Sequence, residues 1–398
     1  MVYRPTRGDG PARLGPSVQQ VPDIGGATLS ADVYRDRGRY ELERDRVLRS
    51  AWMISARSSE LAGAHDWVLY EGHGDTIIVS RQYDGSVAAF HNVCQHRGST
   101  ITAGGTSGCQ RRFTCPWHGW SYDTAGVVVG VPEREDFDPA HLEGLRSPAV
   151  AAQEWGGWVW INLAGPENAP PLLDWIGADI VDDLGRFRME EMILLDKLVY
   201  DLPVNYKAVV DGFNEVYHAT ALHHTPPPFT KAARETSFHL SGPNSMMFVP
   251  RADKTEQLQA TGDHHRNAIC HYVVFPNSVF NNNPDQIQLF QPIPLAVDRT
   301  RFICWELIYG PSGDDDLEYE RYLSSTKLRW EELQGVVAED VFVFNELART
   351  RDSMGYRQNI FSSRECKPTA YHRTMDHCIQ GGNAMDRYQQ HPAGESAR

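Results

Sequence analysis

Cys94-Gln95-His96-Arg97-Gly98 and, with 18 residues between His96 and Cys115, Cys115-Pro116-Trp117-His118-Gly119-Trp120 decide how this sequence is read. Each stretch supplies one thiol and one imidazole. Zinc-finger spacing normally separates a Cys pair from a His pair. Here every loop mixes the two, which suits a two-iron cluster with both cysteines on one iron and both histidines on the other. Exchanging two thiolates for neutral imidazoles removes negative charge and raises the reduction potential. A structural Cys₂His₂ zinc site is the alternative that residue types leave open. Cys109, between the loops, reads as a plain packed thiol, with a bridging role as its other reading.

Around these loops, short β-branched and aromatic runs recur between Trp52 and Leu163: WVLYEG, TIIVSR, VAAFHNV, RFTCPW and GWVWINL. Gly, Asn and Asp turns separate them, the pattern of a small antiparallel β domain. Ahead of it, residues 1–30 read as an irregular arm and 31–50 as a charged helix. Behind it the spacing predicts a helix over 205–224, strands at 246–250, 269–281, 286–292 and 300–309, and a long helix over 316–350. With 398 residues the chain exceeds what one core usually supports, so at least two domains are expected. The formal charge of −14 argues against nucleic acid as a partner. No apolar run is long enough to span a bilayer, and the N-terminus lacks a signal-peptide core, so a cytoplasmic, non-membrane protein is expected. Seven cysteines in such a chain suggest metal chemistry rather than a disulfide scaffold.

A second constellation lies in Asp211-Gly-Phe-Asn-Glu215-Val-Tyr-His218-Ala-Thr-Ala-Leu-His223-His224. On a regular helix Glu215 and His218 share a face. His218 and His223 point roughly 140° apart, so both reach one metal only if the helix widens or breaks. In the late helix Leu333, Val337, Asp340, Phe344 and Leu347 form one stripe on which Asp340 is the only charge. A carboxylate facing an apolar interior must be paired or metal-bound. Two His and one acid make the facial triad of Fe(II) oxygenases, with an internal Asp–Arg pair as the alternative. Glu339 lies off the stripe and is expected at solvent or a partner chain; His224 is expected beside the site or at the surface.

Both constellations resemble one family. The loops 94–98 and 115–123, with the strand GGWVWINL, resemble the Rieske cluster loops of ring-hydroxylating oxygenase alpha subunits. Asn205-Tyr206-Lys207 through His223, Glu339-Asp340, Phe275-Pro276-Asn277 and Phe290-Gln-Pro-Ile-Pro294 resemble the family's catalytic domain. The resemblance implies an α+β fold: an arm and helix (1–50) packing on the catalytic domain, a Rieske domain (51–163), and a helix-grip, START-like catalytic domain of antiparallel sheet and helices (164–398). It implies a [2Fe–2S] cluster on Cys94, His96, Cys115 and His118, and mononuclear Fe(II) on His218, His223 and Asp340.

It further implies a terminal oxygenase. O₂ is the co-substrate, and the products are hydroxylated, dihydroxylated or demethylated forms of an aromatic or largely apolar small molecule. Electrons would come from a separate reductase or ferredoxin, because no G-x-G-x-x-G fingerprint for NAD(P)H or flavin is present. Glu215 would carry them from His118 of one subunit to His218 of the next, in a homotrimer; a beta subunit is left open. Most of the family has Asp where this chain has Glu215, and Glu occurs in a subset acting on quaternary-ammonium compounds, so N-demethylation or monooxygenation of such a compound is the rival. Rivals of other classes are a Rieske electron carrier without oxygenase activity and a zinc-stabilised binding module. Phe213, Leu222, Phe248, Phe275, Phe280 and Phe290 are candidate pocket residues. The stretch from His91 to Tyr122 holds no Asp or Glu but carries Arg97, Arg111 and Arg112; this locally basic cap is a candidate donor-docking face, with three ordinary surface arginines as the other reading.

Overall fold

The protein is described from a computed structural model that covers residues 24, 26–223, 232–251, 254–310 and 316–386. Most of the expected N-terminal arm, His224 and the polar C-terminal tail lie outside the described residues. The chain divides into two compact units. One is Leu48–Leu172; the other joins the chain before Leu48 to everything after Leu172.

In the unit Leu48–Leu172, seven antiparallel strands run in the order Met53–Arg57, Trp158–Asn162, Ala149–Trp155, Val87–His91, Asp75–Arg81, Asp66–Gly72, Ser107–Cys109. A second sheet of three strands is formed by Arg112–Thr114, Ser121–Asp123 and Val128–Gly130. Every run recognised by its β-branched and aromatic content is strand. The core between the sheets holds Trp67, Ile78, Phe90, Phe113, Trp120 and Tyr122, and the thiols of Cys94 and Cys115 belong to it. Cys109 is exposed on an edge strand, so it is not the packed thiol expected.

The other unit is built on a second seven-stranded antiparallel sheet. From Ser237–Ser241 it runs by hairpins through Asn244–Pro250, Ala268–Val274, Ser278–Asn283 and Gln286–Ala296 to Arg299–Tyr309, which pairs with Met192–Leu202. The expected strand 269–281 is two strands, turned at Phe275-Pro276-Asn277. Proline, with no N–H, ends the ladder there. Against this sheet pack the helix Tyr206–Phe213 and the long helix Asp316–Thr350, whose Trp330, Val337 and Phe344 join Val209, Phe213, Phe290 and Phe302 in one core. Leu347, at the end of the predicted stripe, is 41 % exposed, so the apolar face stops one turn early.

The charged segment after Ala31 is two helices, Asp32–Arg35 and Arg37–Arg46, because Asp36 turns to cap the second by accepting from Arg39 N. Its Glu43 reaches Lys207 at 2.6 Å, and both side chains are fully buried. Arg39 Nε also donates to Glu43 (2.9 Å). Glu43→Gln leaves a buried ammonium without its anion. It is expected to cost on the order of 3–5 kcal/mol, read as a lower denaturation midpoint at unchanged slope. Joint replacement of Glu43 and Lys207 by Met is expected to recover most of that loss.

Candidate metal centres

The two loops of the β unit are built alike. Cys94 N donates to Ser99 O (2.7 Å) and Gly98 N to Cys94 O (2.9 Å); Cys115 N donates to Trp120 O (2.8 Å) and Gly119 N to Cys115 O (3.1 Å). Gly98 and Gly119 sit at φ of +76° and +73°, the left-handed region where a side chain is disfavoured. The duplicated turns present their thiols inward and their imidazoles outward. Tyr122 O–H donates to Cys94 Sγ (3.2 Å) and accepts from Gln95 N (2.8 Å). His96 stacks on Trp120 and meets His118 edge-on, with ring centroids 4.5 Å apart. His118 and Trp117 are exposed, and the Arg97 guanidinium lies 4.4 Å over the Trp117 ring.

All four residues fit a two-iron cluster. Burial pushes the Cys94 thiol up, with the Cys115 thiol beside it raising it further, so deprotonating Cys94 calls for a bound cation. The His96 Nδ1 atom is buried without a hydrogen-bond partner. A cluster held this way keeps its cysteine end in the core and its histidine end at the surface.

In the catalytic unit the sequence places two histidines on a helix that cannot aim both at one point, and the structure breaks it. Helix Tyr206–Phe213 ends at Asn214, residues 215–218 are irregular, and a short turn Ala219–Leu222 leads to His223. His218 Nε2 and His223 Nε2 then each lie 3.7 Å from Asp340 Oδ1. All three ligand atoms fall within 4.8 Å of one another. The opposite ring nitrogens are both held by carboxylates: His218 Nδ1 by Glu215, and His223 Nδ1 by Glu339 at 2.9 Å. Glu339 is therefore not at solvent or a partner chain, as its position off the stripe suggested. A carboxylate behind each imidazole fixes its tautomer and turns its free Nε2 toward a common point, the usual support of a metal-binding histidine.

The electrostatics favour a cation at that point. Burial pushes the Asp340 carboxyl up to about 7, with His218 pulling the other way. No Lys or Arg pairs with it among the described residues, so the expected alternative of an Asp–Arg pair is absent there. Burial lowers His218, but Glu215 and Asp340 outweigh it and raise the imidazole above its usual value. His223 is held below its usual value, chiefly by burial. Removing the Glu339 charge by Glu339→Gln is expected to weaken iron binding about 10- to 100-fold, measured by competition with a chelator.

Two cavities meet at these residues. One of about 230 Å³ is lined by Tyr34, Asp211, Glu215, His218, Asp340 and Phe344. A smaller one of about 70 Å³ adds His223 and Phe213 and reaches the sheet at Phe290, His271 and Asn281. Leu222 lines the first; Phe248, Phe275 and Phe280 are core residues that line neither. Sequence reasoning also missed Asp211, which accepts from Tyr34 O–H (2.6 Å) and lies 2.8 Å from His372 Nε2. These partners lie too far apart in the chain for any spacing rule.

Comparison with known proteins adds the family. Residues 51–147 match the model of the Rieske [2Fe-2S] domain, and residues 189–381 match that of the ring hydroxylating alpha subunit catalytic domain. The chain is similar to the carnitine monooxygenase oxygenase subunit of Escherichia coli K12, at 29 % identity over 49 % of this chain and 52 % of that protein. It therefore spans about half the length of that relative. It is also similar to the benzene 1,2-dioxygenase alpha subunit of Pseudomonas putida, at 26 % identity over 69 % of this chain and 70 % of that protein. Among solved structures, a quaternary ammonium Rieske monooxygenase superposes with a TM-score of 0.72 at 20 % identity, covering 90 % of this chain and 99 % of that one. Naphthalene 1,2-dioxygenase superposes at 0.71 and 18 % identity, covering 93 % and 98 %. No helix among the described residues is long and apolar enough to cross a membrane. With a Rieske domain leading into this catalytic domain, the chain belongs to the Rieske-type ring-hydroxylating oxygenase alpha subunits.

Proposed function

We propose that this chain is the terminal oxygenase component of a multi-protein system, inserting oxygen from O₂ into a small organic substrate. The observation that carries this reading is the triad: two imidazoles aimed at one carboxylate oxygen, each braced from behind by its own acid, at the meeting of two cavities. His218, His223 and Asp340 would hold the mononuclear iron, and Cys94, His96, Cys115 and His118 the [2Fe–2S] cluster. The iron would supply O₂ binding and activation at coordination positions the triad leaves open.

The protein's own residues do the rest. Glu215 and Glu339 hold the two imidazoles in the tautomer that frees each Nε2. Phe213, Phe290, Val336 and Val337 keep the sheet-side cavity apolar and exclude water from it. Exposed His118 would be the cluster's contact with the outside, and Glu215, on Nδ1 of His218, would stand at the receiving end in the neighbouring subunit of a homotrimer. A reductase or ferredoxin would dock on the face carrying Arg97, where the guanidinium over Trp117 leaves positive charge beside His118.

An aromatic or largely apolar substrate is the main reading, supported by that apolar wall. Oxidation of a quaternary-ammonium compound is the second, supported by Glu215 and by similarity to a carnitine monooxygenase subunit. Iron and sulfide analysis, a visible spectrum and O₂ uptake with a surrogate reductase test the proposal. About three irons and two sulfides per chain, a red-brown colour and substrate-dependent O₂ uptake support it. About two irons without O₂ uptake would leave an electron carrier, and a colourless zinc protein would leave a binding module.

A further inference from the structure

A polar row crosses the sheet face that looks onto the catalytic cavity, where an apolar face is expected. His271, Asn281, Gln288 and Glu306 are successive register partners on four neighbouring strands. Direct partners in an antiparallel sheet share a face, so these side chains stand in line. At the far end Arg329, from the long helix, donates Nε to Gln286 Oε1 at 2.7 Å. A guanidinium can only donate, which fixes the orientation of the Gln286 amide, and an ionised Glu306 can only accept, which fixes that of Gln288. Gln286 turns its amide N–H to Glu306 (2.7 Å), and Gln288 gives its own to the other carboxyl oxygen (2.6 Å). That leaves the Gln288 carbonyl to accept from Asn281 Nδ2 at 2.8 Å.

The row stops there. Asn281 Oδ1 and His271 Nδ1 are buried and have no partner. Both residues line the cavity that holds His218, His223 and Asp340. His271 is also the one residue of its strand that is part-buried rather than buried. Burial, helped by the Lys367 charge, lowers its imidazole to about 3, so it faces the cavity neutral. A buried polar atom left unpaired is costly, and here two are held in place side by side.

We infer that Asn281 and His271 form a polar subsite that takes a neutral hydroxyl group on an otherwise apolar substrate, and that this contact sets which carbon faces the triad. The inference deepens the oxygenase reading and rests on it. A hydroxyl donates to Asn281 Oδ1 and exchanges its other bond with His271. An unsubstituted hydrocarbon leaves both unpaired, and a quaternary ammonium has no N–H or O–H to give. Burial raises Glu306 to about 8. A proton on it would turn Gln288 and Asn281 end for end and offer N–H in place of C=O. A hydroxyl, which both donates and accepts, satisfies either state.

The test is calorimetric titration of the anaerobic full-length holoprotein with phenol, benzene and tetramethylammonium, in the absence of reductant. Phenol is expected to bind at least about tenfold tighter than benzene. Asn281→Leu is expected to bring that ratio within about threefold of unity. Gln288→Leu, which lies outside the cavity and releases both Asn281 and one Glu306 oxygen, is expected to lower it in part. A wild-type ratio near unity, preferred binding of tetramethylammonium, or a full ratio in an Asn281→Leu protein with a native melting profile would overturn the subsite. The wild-type ratio needs no folded variant. Binding is read without turnover, so a protein that prefers phenol yet takes up no O₂ with any substrate refutes the oxygenase reading instead.

Discussion

Replacing Asp340 by Ala is expected to take away the third iron and abolish product formation while the red-brown cluster stays. Iron should fall from about three to about two per chain with sulfide unchanged. Turnover should drop by on the order of a thousandfold or more, over about 4 kcal/mol of barrier. The reason is geometric. Asp340 Oδ1 is the atom both Nε2 atoms face, and without it two neutral imidazoles remain, one ligand short of the triad. The loss will not be one of folding. The carboxyl is buried and pushed up to about 7, so in the iron-free chain the ionised form is a cost the alanine removes. An iron-free variant should therefore melt no lower than the iron-free wild type. Three irons per chain in the variant would place the site elsewhere.

Glu215→Gln separates electron delivery from metal binding. The amide keeps an oxygen to accept from His218 Nδ1, so both centres should fill when iron is supplied in excess. The negative charge beside the imidazole is lost, and with it what holds His218 above its usual pKa. Re-oxidation of a pre-reduced cluster with substrate and O₂ present should slow about 100-fold or more. Glu339→Gln, which sits behind the other histidine, should instead weaken iron retention and leave that rate nearly unchanged in iron-saturated protein. Wild-type re-oxidation in the Glu215→Gln protein would mean the bridge runs through another residue.

The parts legible in the sequence are those set by short range. Each loop of the cluster keeps its Cys, His and left-handed Gly within six residues, so residue type and spacing carry the reading. The angular mismatch of His218 and His223 already required a broken helix, and the break falls between Phe213 and Ala219. Glu339 shows where one-dimensional periodicity fails. It belongs to a different stripe from Asp340, yet His223 lies to one side of the helix and reaches both. The Asn281–Gln288–Glu306 row depends on strand register, which no local pattern encodes. Nothing in the residues beside Lys207 marks it as buried. Only the fold reveals that Glu43, far upstream, is its partner.

That last partnership limits how this chain can be cut and grafted. A fragment starting at residue 189, where the catalytic match begins, would carry Lys207 and leave Glu43 behind. It would also lack Tyr34 for Asp211, and the Ala27–Ser30 ribbon that pairs with Gln358–Phe361. Chimaeras that exchange catalytic halves between relatives should therefore inherit residues 27–47 from the same parent as the triad, as though that segment were an insertion displaced to the front of the gene.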